Sequence, residues 1–148
     1  MNIYFICTGN TCRSPMAATI LKSKNLENLE VRSAGIYAQQ GSAMSQNAQT
    51  VLQQKKLEQH HQSALFNEQD AQWADLILTM TTAHKEMVLR LVDHVAHKTF
   101  TLNEYVGMDV PDIQDPYGGD VFVYEQTFDQ LNAAIEKLEK KMKTEGQL

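Results

Sequence analysis

The chain is poor in cysteine, in positive charge and in long apolar runs, and each scarcity excludes something. Its two cysteines, Cys7 and Cys12, are too few for a disulfide framework and too close together to staple a fold. Whatever they contribute is chemical. No stretch approaches the roughly 18 consecutive apolar residues of a membrane span, and the start, Met1-Asn2-Ile3-Tyr4-Phe5-Ile6, lacks the basic flank and length of a secretory leader. The expected compartment is the cytoplasm, with no membrane partner. Thirteen Lys plus Arg against eighteen Asp plus Glu leave a net charge of −5, which argues against a nucleic-acid partner held by a broad basic surface. A small local anion site remains compatible with that balance.

What is present fits one ordinary domain. At 148 residues, 43% of them apolar and 21% charged, the chain is long enough to bury a core and is composed like a folded protein. Residues 1–148 are therefore read as one unit, with no repeat or linker. Ile3 to Ile6 reads as a buried strand entering a tight loop, and Val31 to Ile36 as a second strand. Asp75 to Met80 and Thr99 to Leu102 supply a third and a fourth. Ser14-Pro15 predicts a helix start with Ser14 as cap. A second helix is expected near Ser45, and Met87, Val88, Leu91 and Val92 pattern a third. Tyr124, Phe128, Leu131, Ile135, Leu138 and Met142 mark the stripe of a long terminal helix. The alternation predicts an α/β domain with a four-stranded parallel sheet flanked by helices on both faces. Ligands of such folds bind at the carboxyl ends of the strands.

That end is where the chemistry concentrates. Cys7-Thr8-Gly9-Asn10-Thr11-Cys12-Arg13-Ser14 places a thiol, a run of backbone N–H groups, a guanidinium and a helix N-terminus in one turn. Gly9 allows close approach and Asn10 tolerates left-handed backbone, so the N–H groups can form a nest for a tetrahedral oxyanion. Arg13 has the planar fork that matches two phosphate oxygens. A thiol near a helix N-terminus and an arginine is expected to ionise more readily than a free one, giving a Cys7 thiolate at neutral pH, and the Ser14 hydroxyl could stabilise it. An isolated cysteine would be read as a buried strand end and an isolated arginine as surface charge; their joint spacing argues otherwise. Two cysteines supply too few ligands for a metal, their spacing is not that of a dithiol motif, and no nucleotide-binding G-x-x-x-x-G-K-[ST] occurs. No metal and no cofactor are expected.

Three segments together resemble one family. Cys7-x5-Arg13-Ser14, Arg32-Ser33-Ala34-Gly35 and Asp115-Pro116-Tyr117-Gly118-Gly119 look like the low-molecular-weight protein tyrosine phosphatases over nearly the whole chain. Thr8-Gly9-Asn10-Thr11 and Arg13-Ser14-Pro15-Met16-Ala17 most resemble the bacterial protein arginine phosphatases. The resemblance implies a cysteine-dependent phosphatase acting on phosphorylated proteins, with Cys7 as nucleophile, Arg13 as phosphate ligand and Asp115 as general acid. It lies in a long loop, Asn103 to Asp120, where Asp109, Asp112 and Asp120 compete for that role by position alone. The acid must start protonated, so activity should fall at alkaline pH.

The same resemblance gives Asn10 a loop-holding role, with Ser33 and His61 as its supports; an exposed loop histidine beside His60 is the competing reading of His61. His84, His94 and His97 match no pattern and read as surface residues. Cys12 could pair with Cys7 on oxidation, guarding it, or could be a small packed thiol. Thr11 resembles the arginine-type members, where tyrosine-type members hold a bulkier aliphatic residue. Tyr37 and Tyr117 could wall a flat guanidinium or a phenyl ring, and Asp115, Asp120 and Glu125 would give the rim acidic charge. Phosphoarginine is therefore the first reading and phosphotyrosine the alternative. A phosphate or phosphopeptide binding module would need neither Cys7 nor Asp115. The arsenate reductases share the loop but relay through further cysteines, and none follows Cys12. No oligomeric state is fixed, a monomer being the simplest reading.

Overall fold

A computed structural model describes residues 1–57 and 60–148. Among these residues the sheet is four-stranded and parallel, built from β1 (Asn2–Cys7), β2 (Glu30–Gly35), β3 (Leu76–Thr79) and β4 (Thr99–Thr101) in the order β2-β1-β3-β4. Its central strand β1 pairs on both sides, Cys7 opposite Gly35 of β2 and Ile6 opposite Thr79 of β3. Five of its six residues are buried, as expected of a parallel strand covered on both faces.

Alternation along β1 sorts the two cores. Ile3, Phe5 and Cys7 face one layer with α1 (Arg13–Ser23), α2 (Gln46–Gln54) and α6 (Val121–Thr144). Tyr4 and Ile6 face the other, with α3 (Glu68–Trp73) and α4 (Thr82–Leu91). Every residue of the terminal stripe from Tyr124 to Met142 is buried in the first layer. Side chains such as Phe5 and Leu138 each contribute about 1.5–3 kcal/mol through burial, so a charge on that stripe would open the layer.

Three local expectations are corrected. First, α1 begins at Arg13 rather than after Ser14, with Cys12 at its cap and no side chain closing it; the Ser14 hydroxyl is engaged by Cys7 and Asn10 instead. Second, the stretch read as loop from Asn103 opens as a short helix, α5 (Leu102–Val106). Thr101 and Glu104 close a reciprocal capping box there, and Gly107 ends it in left-handed backbone at φ 79°. Third, the stretch before β3, for which no helix is expected, forms α3, which Asn67 caps by accepting from the N–H of Asp70. At six residues it is too short to show a helical period.

Candidate active site

The turn after β1 wraps a cavity of about 290 Å³ at the carboxyl end of the sheet. Cys7, Thr8, Gly9, Thr11, Cys12, Arg13, Asp115 and Tyr117 line it. A larger cleft of about 780 Å³ beside Val110, Gln130 and Lys137 carries no nucleophile. Gly35 is what lets β2 press against the turn from behind: a Cβ there would lie 2.8 Å from the Asn10 nitrogen and closer still to the Thr8 carbonyl.

Asn10 is the brace of the loop. It is fully buried, sits in left-handed backbone at φ 56°, and uses its whole side chain. Its amide nitrogen donates to Ser14 Oγ at 2.7 Å and Ser33 Oγ at 3.0 Å, while its amide oxygen accepts from the Ala64 N–H at 2.9 Å. Its main-chain oxygen takes the Ser63 hydroxyl at 2.8 Å and lies 2.7 Å from His61 Nε2. Ser33 and His61 thus converge on Asn10. Burial pushes the His61 pKa below its ordinary value, against the pull of the Asn10 carbonyl, so the ring works as a neutral donor.

Cys7 lies 2.8 Å from Ser14 Oγ and is 3% exposed. Burial is the largest influence on its thiol and pushes it up from its ordinary value. The Ser14 hydroxyl, the Ser14 and Asn10 N–H groups and the Arg13 charge all pull it down. The expected lowering therefore meets an opposing effect. The favourable field is present, and the depth of the sulfur, which no local motif reveals, works against it.

Arg13 is itself buried, its Nη1 donating to the Ile113 carbonyl at 3.1 Å and its Nη2 lying 3.6 Å from Asp115 Oδ2. That carboxylate stands at the mouth, half exposed, its other oxygen accepting from the Tyr117 N–H at 3.0 Å. The competing aspartates are occupied elsewhere. Asp112 accepts from the N–H and hydroxyl of Thr82, and Asp120 caps α6 through Val123. Asp109 borders the larger cleft. Asp115 is the carboxylate that lines the cavity with Cys7.

The comparisons decide the family. The low molecular weight phosphotyrosine protein phosphatase family matches residues 2–148. The chain belongs to that family. Among its relatives, a protein-arginine-phosphatase of Geobacillus stearothermophilus is 43% identical over 97% of each chain. The low molecular weight protein-tyrosine-phosphatase PtpB of Staphylococcus epidermidis is 40% identical over 93% of this chain and 96% of its own. A solved C7S mutant of the YwlE arginine phosphatase, with a phosphorylated active-site serine, superposes with a TM-score of 0.93 at 39% identity, covering 97% of this chain and 96% of that one.

Within this phosphatase fold the remaining residues fall in three groups. Thr11 and Tyr117 line the cavity, whereas Tyr37, expected beside them, does not; it is exposed and reaches the loop through its N–H, which donates to the Thr8 carbonyl at 2.9 Å. Glu125 is absent from the wall, and Asp120 is spent on its cap. Two residues were missed. His84, expected at the surface, is 8% exposed and its Nε2 lies 2.8 Å from Thr8 Oγ1. Tyr124, read only as core, sets its hydroxyl 3.3 Å from Cys12 Sγ, with Ser45 Oγ at 3.4 Å from the same sulfur. Neither lies near its partner in sequence, so no local motif could have found them. Among the described residues no group of three or more His, Cys, Asp or Glu is placed to hold a metal, and no helix is long and apolar enough to cross a membrane.

Proposed function

We propose that this protein is a cysteine-dependent phosphatase that removes phosphoryl groups from arginine side chains of proteins. The observation that carries the reading is the shared cavity of Cys7, Arg13 and Asp115, with the Thr11 hydroxyl on its wall. Phosphoryl transfer needs positioning, charge stabilisation and a proton for the leaving group. The loop N–H groups and the Arg13 fork hold the phosphoryl oxygens. Cys7, once ionised, attacks phosphorus along the axis opposite the leaving nitrogen; the S–P bond forms as the P–N bond breaks, and protonated Asp115 gives its proton to that nitrogen. Water then attacks the cysteinyl phosphate and leaves its proton on Asp115. The sulfur departs as a thiolate held by Ser14 and the loop N–H groups, and inorganic phosphate is released.

Burial makes ionisation of Cys7 costly, so the donors aimed at the sulfur act in both steps. Cys12 serves as guard: peroxide converts Cys7 to a sulfenic acid, and condensation with Cys12 gives a disulfide and water.

Two features favour arginine over tyrosine. A hydroxyl at Thr11 can pair with guanidinium N–H groups that an aliphatic side chain would leave unsatisfied. Gly118 lies at φ 82°, and a Cβ on Gly119 would fall 2.7 Å from the Val123 Cβ, so neither position accepts a second aromatic wall beside Tyr117. Phosphotyrosine is the second reading, favoured by Tyr117 itself, which lines the cavity and could stack on a phenyl ring. The deciding measurement is kcat/KM for phosphoarginine and phosphotyrosine peptides in the wild type and in Thr11→Ile. The wild type should prefer phosphoarginine, and the substitution should shift the ratio towards phosphotyrosine by about tenfold or more. A wild type that prefers phosphotyrosine would overturn the arginine assignment and leave the cysteine mechanism standing.

A further inference from the structure

We propose that His84 turns the Thr8 hydroxyl into a donor for the phosphoryl group, Thr8 making the contact and His84 positioning it. The inference rests on the phosphatase reading of the same cavity. It starts from two nitrogens of one ring. His84 Nε2 lies 2.8 Å from Thr8 Oγ1, while Nδ1 is buried and has no hydrogen-bond partner among the described residues. A neutral imidazole carries its hydrogen on one of these nitrogens. With the hydrogen on Nδ1, a buried N–H would be orphaned. With it on Nε2, only a lone pair goes unused, the lesser penalty for a buried group. The second tautomer follows, and Nε2–H donates to Thr8 Oγ1.

That assignment fixes what Thr8 can do. A hydroxyl has one hydrogen and two acceptor sites. Since His84 occupies an acceptor site, the hydrogen of Thr8 is available to another group, and Thr8 Oγ1 has no second partner among the described residues. Thr8 is exposed and lines the cavity beside Cys7 and Arg13, so an oxygen of a bound phosphoryl group can take the place of water as its acceptor. A hydroxyl donating to a phosphate oxygen is charge-assisted and stronger than a neutral pair.

Two further observations support the arrangement. The backbone that carries the ring is held: the His84 main-chain N–H donates to the Thr81 hydroxyl at 3.1 Å, and the neighbouring Thr82 is tied to Asp112. The ring is also neutral, because burial and the Arg13 charge hold its pKa down at about 4 against the opposing pull of Asp115 and Asp112.

The test measures inorganic phosphate affinity by calorimetry, and kcat/KM on a phosphoarginine peptide, for the wild type, Thr8→Val, Thr8→Ser, His84→Leu, His84→Gln and the Thr8→Val/His84→Leu double variant. Thr8→Val should weaken phosphate binding and lower kcat/KM by about tenfold, the worth of one such bond. Thr8→Ser, which keeps the hydroxyl, should restore most of the loss. His84→Leu should lose a similar factor, His84→Gln should recover part of it by donating from its amide, and the double variant should be no worse than the poorer single one. Phosphate affinity within twofold of wild type for Thr8→Val, or a double variant that loses the product of both single losses, would overturn the proposal. A wild type that binds phosphate but hydrolyses no phosphorylated peptide would sink the phosphatase reading, while the phosphate affinities of the variants would still decide the hydrogen bond.

Discussion

Arg13 and Asp115 face each other across the mouth of the cavity, Nη2 to Oδ2 at 3.6 Å, the cation buried and the carboxylate half in solvent. The pair is loose for a salt bridge, and its exposed member makes it worth little to stability. Its geometry suits exchange instead. In the proposed mechanism an arriving phosphoryl group would take over Arg13 and leave the freed carboxyl group beside the leaving atom.

Asp115→Ala should therefore lower kcat on a phosphoarginine peptide by about 10²–10⁴-fold, the usual contribution of a general acid or base. Because the same group activates water, acid quenching should trap more cysteinyl phosphate in this variant than in the wild type when the substrate is an aryl phosphate with a good leaving group. Asp112→Ala should instead loosen the start of α4, where Thr82 loses its partner. Equal kcat losses in the two variants would contradict the choice of acid.

Ser14→Ala isolates the contest at Cys7. Burial pushes the thiol up and the Ser14 hydroxyl is the largest influence pulling it down, so the variant should ionise at a still higher pH. One hydrogen bond corresponds to about one pKa unit, and alkylation by iodoacetamide at a fixed neutral pH should slow by about tenfold. An alkylation profile that superposes on the wild type's would show that the Ser14 hydroxyl does not act on the sulfur.

His84 makes a distinct prediction for stability. Its folded pKa of about 4 lies below the ordinary 6.5. Between those values the unfolded chain binds a proton that the folded chain does not. The contribution of His84 is therefore complete above pH 6.5 and is lost as pH falls towards 4, by up to about 3 kcal/mol. Urea denaturation at pH 7 and pH 4.5 should show a steeper loss for the wild type than for His84→Gln. Parallel losses in the two proteins would mean that His84 is not the titrating group.

The sequence by itself determined what is local or periodic. The apolar run Ile3 to Ile6 reads as a covered strand, the spacing from Tyr124 to Met142 reads as one helix face, and Cys7 to Ser14 gathers a thiol, a guanidinium and a helix start in eight consecutive residues. The capping box of Thr101 and Glu104 was equally legible, but an adjoining stretch rich in Gly, Pro and Asp masked it. Only the tertiary structure decided the rest, because each remaining choice depends on a partner distant in the chain. Four aspartates in one segment are equivalent until Thr82 takes Asp112 and α6 takes Asp120, leaving Asp115 at the mouth. His84 became a buried partner of Thr8 across 76 residues, and Tyr124 a partner of Cys12 across 112. The direction of the Cys7 pKa followed the same rule: its charges are written nearby, but desolvation depends on what the whole fold packs around the sulfur.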